Sequence, residues 1–249
     1  MAERSQEDPN QTVAIEGVNT NENEINLNPR HARFSDLMWY DPNDPPHALV
    51  GGVGGIGSWL SFLLGRMGCN LYLFDNDEID ETNMGGQLYQ SGQIGMSKVE
   101  AASMNIYSFS NNSNIETFSK YTEESEACPI TFSCFDNMKS RKIMFDTWAE
   151  NHDGNGIFID GRMLAESFQI YAVIPGREDR YRETLFDDSE VEEQPCSAKA
   201  TSHTAAMIAG MMVGIFTNYM SNIKTEMDLR EVPFFTSFET HLLTFNLEL

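Results

Sequence analysis

One glycine-dense stretch limits what this chain can fold into. Gly51-Gly52-Val53-Gly54-Gly55-Ile56-Gly57 follows a short apolar run, His47-Ala48-Leu49-Val50. It precedes Ser58 to Met67, where Trp59, Leu60, Phe62, Leu63 and Leu64 have helical spacing. A second apolar run, Leu71-Tyr72-Leu73-Phe74, ends at Asp75. Strand, glycine turn, helix, strand is a βαβ unit, which requires parallel strands. Gly52 to Gly57 matches G-x-G-x-x-G. Glycines let the backbone approach phosphate oxygens, and the helix N-terminus offers unpaired N–H groups and a favourable dipole. Asp75, 18 residues beyond Gly57, is placed to accept hydrogen bonds from ribose hydroxyls. The motif alone suits a nicotinamide-dependent dehydrogenase equally well, and a purely structural tight turn is the plainer alternative.

The rest of the chain extends the same alternation. Lys98 to Tyr107 and Lys139 to Asn151 read as helices. Ile115 to Phe118, Ile130 to Phe135, Gly156 to Asp160 and Ser167 to Val173 read as strands. Thr201 to about Met220 reads as a buried helix, and Val232 to Glu248 as one or two strands. The expected fold is α/β: a Rossmann-like, mostly parallel sheet flanked by helices, with additional strands in the C-terminal part. Asn76 to Ser97 and Asp179 to Pro195 read as polar connections. Phe34, Leu37, Met38, Trp39 and Tyr40 suggest a short docking helix, ended by Pro45-Pro46.

With 249 residues the chain suffices for one large α/β domain, or for two small ones. Residues 1–28 are polar, acidic and poor in large apolar groups, so they read as a disordered tail ahead of a domain at 29–249. The net charge of −22 opposes a phosphate backbone, so no nucleic-acid partner is expected. The longest apolar run, Ala205 to Phe216, is short of the ~17–25 residues a bilayer demands, so no membrane partner is expected. No secretory signal is visible at the N-terminus. The four cysteines, Cys69, Cys128, Cys134 and Cys196, form no Cys-x-x-Cys pair, so no zinc is expected. A reducing cytoplasm fits best.

The stretch after Asp75 narrows the choice. It holds Asp75-x-Asp77, then Asn83 and Gln87, then Ile94-Gly95 and Lys98. Asp136-Asn137-Met138-Lys139-Ser140-Arg141 follows a predicted strand. This order resembles the ThiF/MoeB/HesA family, the ubiquitin-activating-enzyme-like adenylyltransferases. That family's pattern is G-x-G-G-x-G, D-x-D, N-x-x-R-Q, I/V-G-x-x-K and D-N/x-x-x-x-R. Arg30-His31-Ala32-Arg33-Phe34 is similar to the family's R-Y-x-R-Q segment, and Pro195-Cys196-Ser197-Ala198-Lys199 to its T/S-C segment. The resemblance runs from about Arg30 to about Met220.

The resemblance implies ATP-dependent adenylation of a carboxylate, in which the carboxylate attacks the α-phosphorus and pyrophosphate leaves. Charge builds on phosphate oxygens, so cations and N–H donors are needed. Gly52, Gly54, Gly55 and Gly57 would hold the nucleotide, with Asp75 on the ribose and Asp77 beside it. Asn83 and Gln87 would contact the nucleotide or order the loop. Lys98 would neutralise phosphate charge; a solvated lysine at a helix start is the alternative. Asp136 would bind Mg²⁺, because a hard cation prefers carboxylate oxygen; a helix N-cap is the alternative. Arg33 resembles the arginine that reaches the triphosphate of a neighbouring subunit in a homodimer; a surface arginine is the alternative. Gly86 stands where the family's arginine is expected. Arg30, Arg33, Arg141 or Lys139 would then compensate, or catalysis is weak or lost.

The resemblance also implies a partner: a ubiquitin-like or sulfur-carrier protein whose Gly-ended tail supplies the carboxylate. Cys196 matches the position through which relatives carry out a second, thioester or persulfide, transfer, and a buried structural cysteine is an equal reading. Cys69 and Cys134 read as core residues, and His203 as a capping or core histidine. Two further functions stay open at this point: adenylation of a small-molecule or peptide carboxylate without a catalytic cysteine, and a catalytically decayed nucleotide-binding module.

Overall fold

A computed structural model of the chain describes residues 28–152, 154–187 and 201–249. The acidic tail up to residue 27 and Cys196 lie outside the described residues. In chain order the elements are β1 (His47–Gly51), α1 (Gly55–Arg66), β2 (Asn70–Phe74), α2 (Lys98–Ser110), β3 (Ile115–Phe118) and β4 (Ile130–Ser133). They continue with α3 (Met138–Asn151), β5 (Ile157–Leu164), β6 (Ser167–Val173), α4 (Glu178–Arg182), α5 (Ser202–Asn222), β7 (Phe235–Glu239) and β8 (Thr244–Glu248).

The strands form one eight-stranded sheet in the order β3-β2-β1-β4-β5-β6-β7-β8. The first five of these neighbours run parallel, and β6, β7 and β8 are added antiparallel. The expected Rossmann-like α/β sheet with extra C-terminal strands is therefore present. The order reverses between β1 and β4, and connections leaving two such strands in opposite directions open a crevice at their carboxyl ends. Gly51 pairs with both Phe74 and Ser133, so β1, β2 and β4 end level. Gly52, Asp75 and Asp136 thus emerge on one edge of the sheet.

The central strands are buried on both faces, and this explains their continuous apolar runs. Val50, Phe132 and Ile159 face a core closed by Leu60 of α1, Ile106 of α2 and Phe216 of α5. Leu49 and Phe158 face the opposite core, closed by Phe145 and Trp148 of α3 and Tyr181 of α4. In α1, Ile56, Leu60 and Leu64 recur every four residues and form its buried stripe. Gly65 lets α2 come close: a Cβ there would lie 2.3 Å from Ile106 Cγ2. No described helix is long and apolar enough to cross a membrane.

Three local expectations need correction. The segment before β1 is a 3-10 turn, Pro29–His31, followed by further turns rather than a helix over Phe34–Tyr40. Tertiary contacts set its path: His31 stacks on Phe34, Phe34 on Trp39, and His31 Nδ1 lies 2.8 Å from Tyr40 Oη. The stretch from Asp179 is not wholly a polar connection, because α4 occupies its start. Glu178 and Asp179 in the first turn and Arg180 and Arg182 in the last complement the helix dipole, and Tyr181 is fully buried. His203 is neither core nor cap. It is exposed in the first turn of α5, and no side-chain hydrogen bond caps that helix.

Candidate functional site

The glycine turn can close only as glycine. Gly52 has φ +81°, and a Cβ on it would lie 2.9 Å from the Cys134 carbonyl oxygen. A Cβ on Gly57 would fall 1.8 Å from the Gly52 carbonyl oxygen. The turn delivers the chain into α1, whose N-cap is Gly54, so that no N-cap side chain meets its first N–H groups among the described residues. Such an end suits an anion.

Asp75 hangs beside the turn. Its carboxylate accepts from Val53 N–H at 2.8 Å and from Asp77 N–H at 2.9 Å. Burial pushes its carboxyl up, against the pull of those N–H donors and of Lys98. Asp77 accepts from Lys98 Nζ at 2.7 Å. Lys98 itself is only 7% exposed, so the solvated-lysine alternative is wrong: the side chain is buried and its cation is held by Asp77. The Asp77 side chain is 59% exposed and faces water.

The connection between β2 and α2 is better ordered than its polar composition suggests. It contains 3-10 turns at Glu81–Gly85 and Ser91–Gln93. Asn83 Oδ1 accepts from Asp80 N–H at 3.1 Å and closes a capping box, so Asn83 orders the loop. Gln87 lies over the turn: its Nε2 would be 3.9 Å from a Cβ on Gly54, and its buried Oε1 has no hydrogen-bond partner among the described residues. Sequence reasoning missed the residues that pin this loop down. Trp59 Nε1 donates to the Gly86 carbonyl at 3.1 Å, and Leu88 N–H to Ser58 Oγ at 3.0 Å. Tyr89 Oη donates to the Val53 carbonyl, and burial pushes its phenol far up. Asn105 joins Gln90, Gln93 and the Leu88 carbonyl. Their only signal was polar and aromatic side chains among apolar neighbours.

Asp136 stands on the other side of the turn, two residues beyond Cys134, whose carbonyl abuts Gly52. It is exposed. The N-cap alternative is wrong, because Asn137 caps α3 by accepting from Ser140 N–H at 2.8 Å. Lys98 and Asp136 therefore flank the same glycines. Lys139 lies in the first turn of α3. Arg141 does not reach the crevice as a free cation: it is buried and ion-paired with Asp160. Arg30 and Arg33 are exposed on the segment whose His31 packs against Gly68, beyond the far end of α1. The twelve residues of α1 put about 18 Å between that end and the glycine turn. Neither arginine serves this chain's own turn.

Cys69, Cys128 and Cys134 are free and buried. Burial pushes the Cys69 thiol up to about 12 and also raises those of Cys128 and Cys134. Among the described residues, no group of three or more His, Cys, Asp or Glu side chains could hold a metal ion.

The family model described as the ThiF family matches residues 45–248. The chain belongs to the ThiF family. Among curated relatives, ubiquitin-like modifier-activating enzyme 5 of Culex quinquefasciatus is 29% identical over 226 residues, which cover 79% of this chain and 56% of that protein. The Gallus gallus enzyme of the same name is 27% identical over 202 residues, covering 70% of this chain and 50% of its own length. The chain thus spans about half the length of the curated relatives it matches. Among solved structures, E. coli MccB with ATP is similar in fold, with TM-score 0.65 and 13% identity over 91% of this chain and 72% of that one. At Gly86, where the pattern quoted above leads us to expect arginine, there is no side chain. Its backbone is used instead, as the acceptor for Trp59.

Proposed function

We propose that this chain is an ATP-dependent adenylyltransferase that activates the C-terminal carboxylate of a ubiquitin-like or sulfur-carrier protein. The observation that carries the reading is a buried lysine, Lys98, set beside an uncapped glycine-turn helix end at the sheet's switch point. The relatives that bear the name ubiquitin-like modifier-activating enzyme 5 and the MccB structure with ATP support it.

The turn's N–H groups and the α1 dipole take the triphosphate. Asp75 orients the ribose from its two backbone donors. Lys98 leaves Asp77, or shares it, to neutralise charge as the carboxylate oxygen bonds to the α-phosphorus and the bond to pyrophosphate breaks. Gln87 offers its unpartnered Oε1 to the nucleotide. Mg²⁺ prefers phosphate oxygens plus one or two carboxylates to an all-protein cage, and a single exposed Asp136 fits that donor set. When bound, the ion would neutralise phosphate charge. Where the thiol of Cys196 accepts the group, its thiolate attacks the acyl carbon and AMP leaves. Arg33 would reach the triphosphate of a second copy in a homodimer, since it lies far from its own turn. A cytoplasmic setting completes the reading.

The test is ATP–pyrophosphate exchange with labelled pyrophosphate and candidate carriers with Gly-ended tails. Carrier-dependent exchange is expected, and its absence with every such tail refutes the reading. Gly86 favours a second reading, a nucleotide-binding module without turnover. Tight ATP binding with no exchange would establish that instead.

A further inference from the structure

The described residues hold a charged cluster that the proposed reaction does not use. Asp160, in the middle of β5, is fully buried. Its Oδ1 accepts from Arg141, and its Oδ2 accepts from Arg162 Nε at 2.7 Å and from Tyr181 Oη at 3.0 Å. Each arginine has a second task. Arg141 also donates to the Gly161 carbonyl at 3.1 Å and, through Nη2, to the Phe135 carbonyl. Arg162 spends its remaining nitrogens on the Thr184 carbonyl and hydroxyl, each at 3.0 Å, and lies 4.4 Å over the Tyr171 ring.

A buried carboxylate between two guanidinium groups is an expensive way to stabilise a fold, because apolar residues of the same volume do as well. Its distinct property is direction. Phe135 is the residue before Asp136, at the bend where β4 gives way to α3. Among the described residues Asp136 has no comparable anchor of its own; its side chain is exposed, and Asn137 Nδ2 approaches it only at 3.4 Å. The bend is tied from behind by the Arg141 guanidinium, which Asp160 grips in turn. An arginine suits this, since its rigid planar fork sets one nitrogen on the Asp160 carboxylate and the other on the Phe135 carbonyl.

We propose that Asp160 is a positioning residue that acts through Arg141 to hold Asp136 where it meets the nucleotide-bound Mg²⁺. The inference deepens the adenylation reading and rests on it. Outer groups that orient a metal-binding carboxylate change metal affinity by ~10–100-fold when lost.

The experiment measures ATP affinity by calorimetry with and without Mg²⁺, on the full chain, with folding checked by thermal melts. In the unaltered protein Mg²⁺ strengthens ATP binding. In Asp160→Asn that enhancement falls ~10–100-fold while Mg²⁺-free ATP affinity stays within about threefold. Asp136→Asn loses the same enhancement, and the double variant loses no more, because the two residues act in series. Arg141→Lys keeps a charge opposite Asp160 but loses the second arm, and it reproduces the effect if Asp160→Asn fails to fold. An enhancement retained in both Asp160→Asn and Arg141→Lys overturns the proposal, as does an equal loss with and without Mg²⁺. If the unaltered protein binds ATP without any Mg²⁺ effect, this inference alone falls. If it binds no ATP, the adenylation reading falls first.

Discussion

Replacing Lys98 by Met should separate function from stability in this protein. The lysine stem is buried, and Met fills nearly the same volume, so the packing change is small. The lost ion pair is weak, because the Asp77 side chain is 59% exposed and its charge is screened by water. Lys98→Met should therefore alter stability by ~1 kcal/mol or less, which in a chain of this size is a melting shift of about 2–4 °C. The effect at the crevice is much larger. Asp75 and Asp77 together carry two negative charges that Lys98 halves, and the variant leaves both unopposed beside the glycine turn. ATP must approach that charge with no buried cation to meet it. Loss of one such stabilising group lowers rates by ~10²–10³. The assay is carrier-dependent pyrophosphate exchange, read beside the thermal melt. Lys98→Met/Asp77→Asn restores the local charge, so it should regain ATP affinity but not turnover. Exchange within about threefold of the unaltered protein in Lys98→Met, with the fold intact, would refute the assignment.

Gly57→Ala should fail to close the turn, because its Cβ would sit 1.8 Å from the Gly52 carbonyl oxygen. A loss of ~1–3 kcal/mol or more in melts, together with lost ATP binding, is expected. Iodoacetamide at pH 8 should spare Cys69, Cys128 and Cys134 in the native protein, since burial raises each thiol's pKa and keeps it protonated at that pH. Mass spectrometry locates the label; rapid native labelling of Cys134 would contradict the burial argument. Mixing inactive Arg33→Ala with inactive Lys98→Met should restore about a quarter of the exchange activity if sites are shared across a two-fold dimer, because half the dimers then carry one intact site. A mixture that stays inactive would show that Arg33 is not shared.

The order of elements was legible because it rests on local rules. Parallel strands buried on both faces need continuous apolar runs, and α1 needs its four-residue stripe. The glycine motif was legible because a crowded turn tolerates no Cβ. The ThiF-family motifs were legible as ordered residues, and the family model matches the chain over 45–248. Boundaries moved by a few residues, and α4 was missed because its five residues gain their place from Tyr181 packing on the sheet rather than from helical periodicity.

Local composition by itself determined the strands, the glycine turn and which polar residues follow it. The tertiary structure alone decided which charges are available. Lys98 and Arg141 look alike in sequence as cations just inside helices. One is buried beside the glycine turn with an exposed partner, and the other is locked to Asp160 on a neighbouring strand. Whether a charge is free depends on through-space neighbours that lie 19 or 21 residues away along the chain, and no local pattern encodes them.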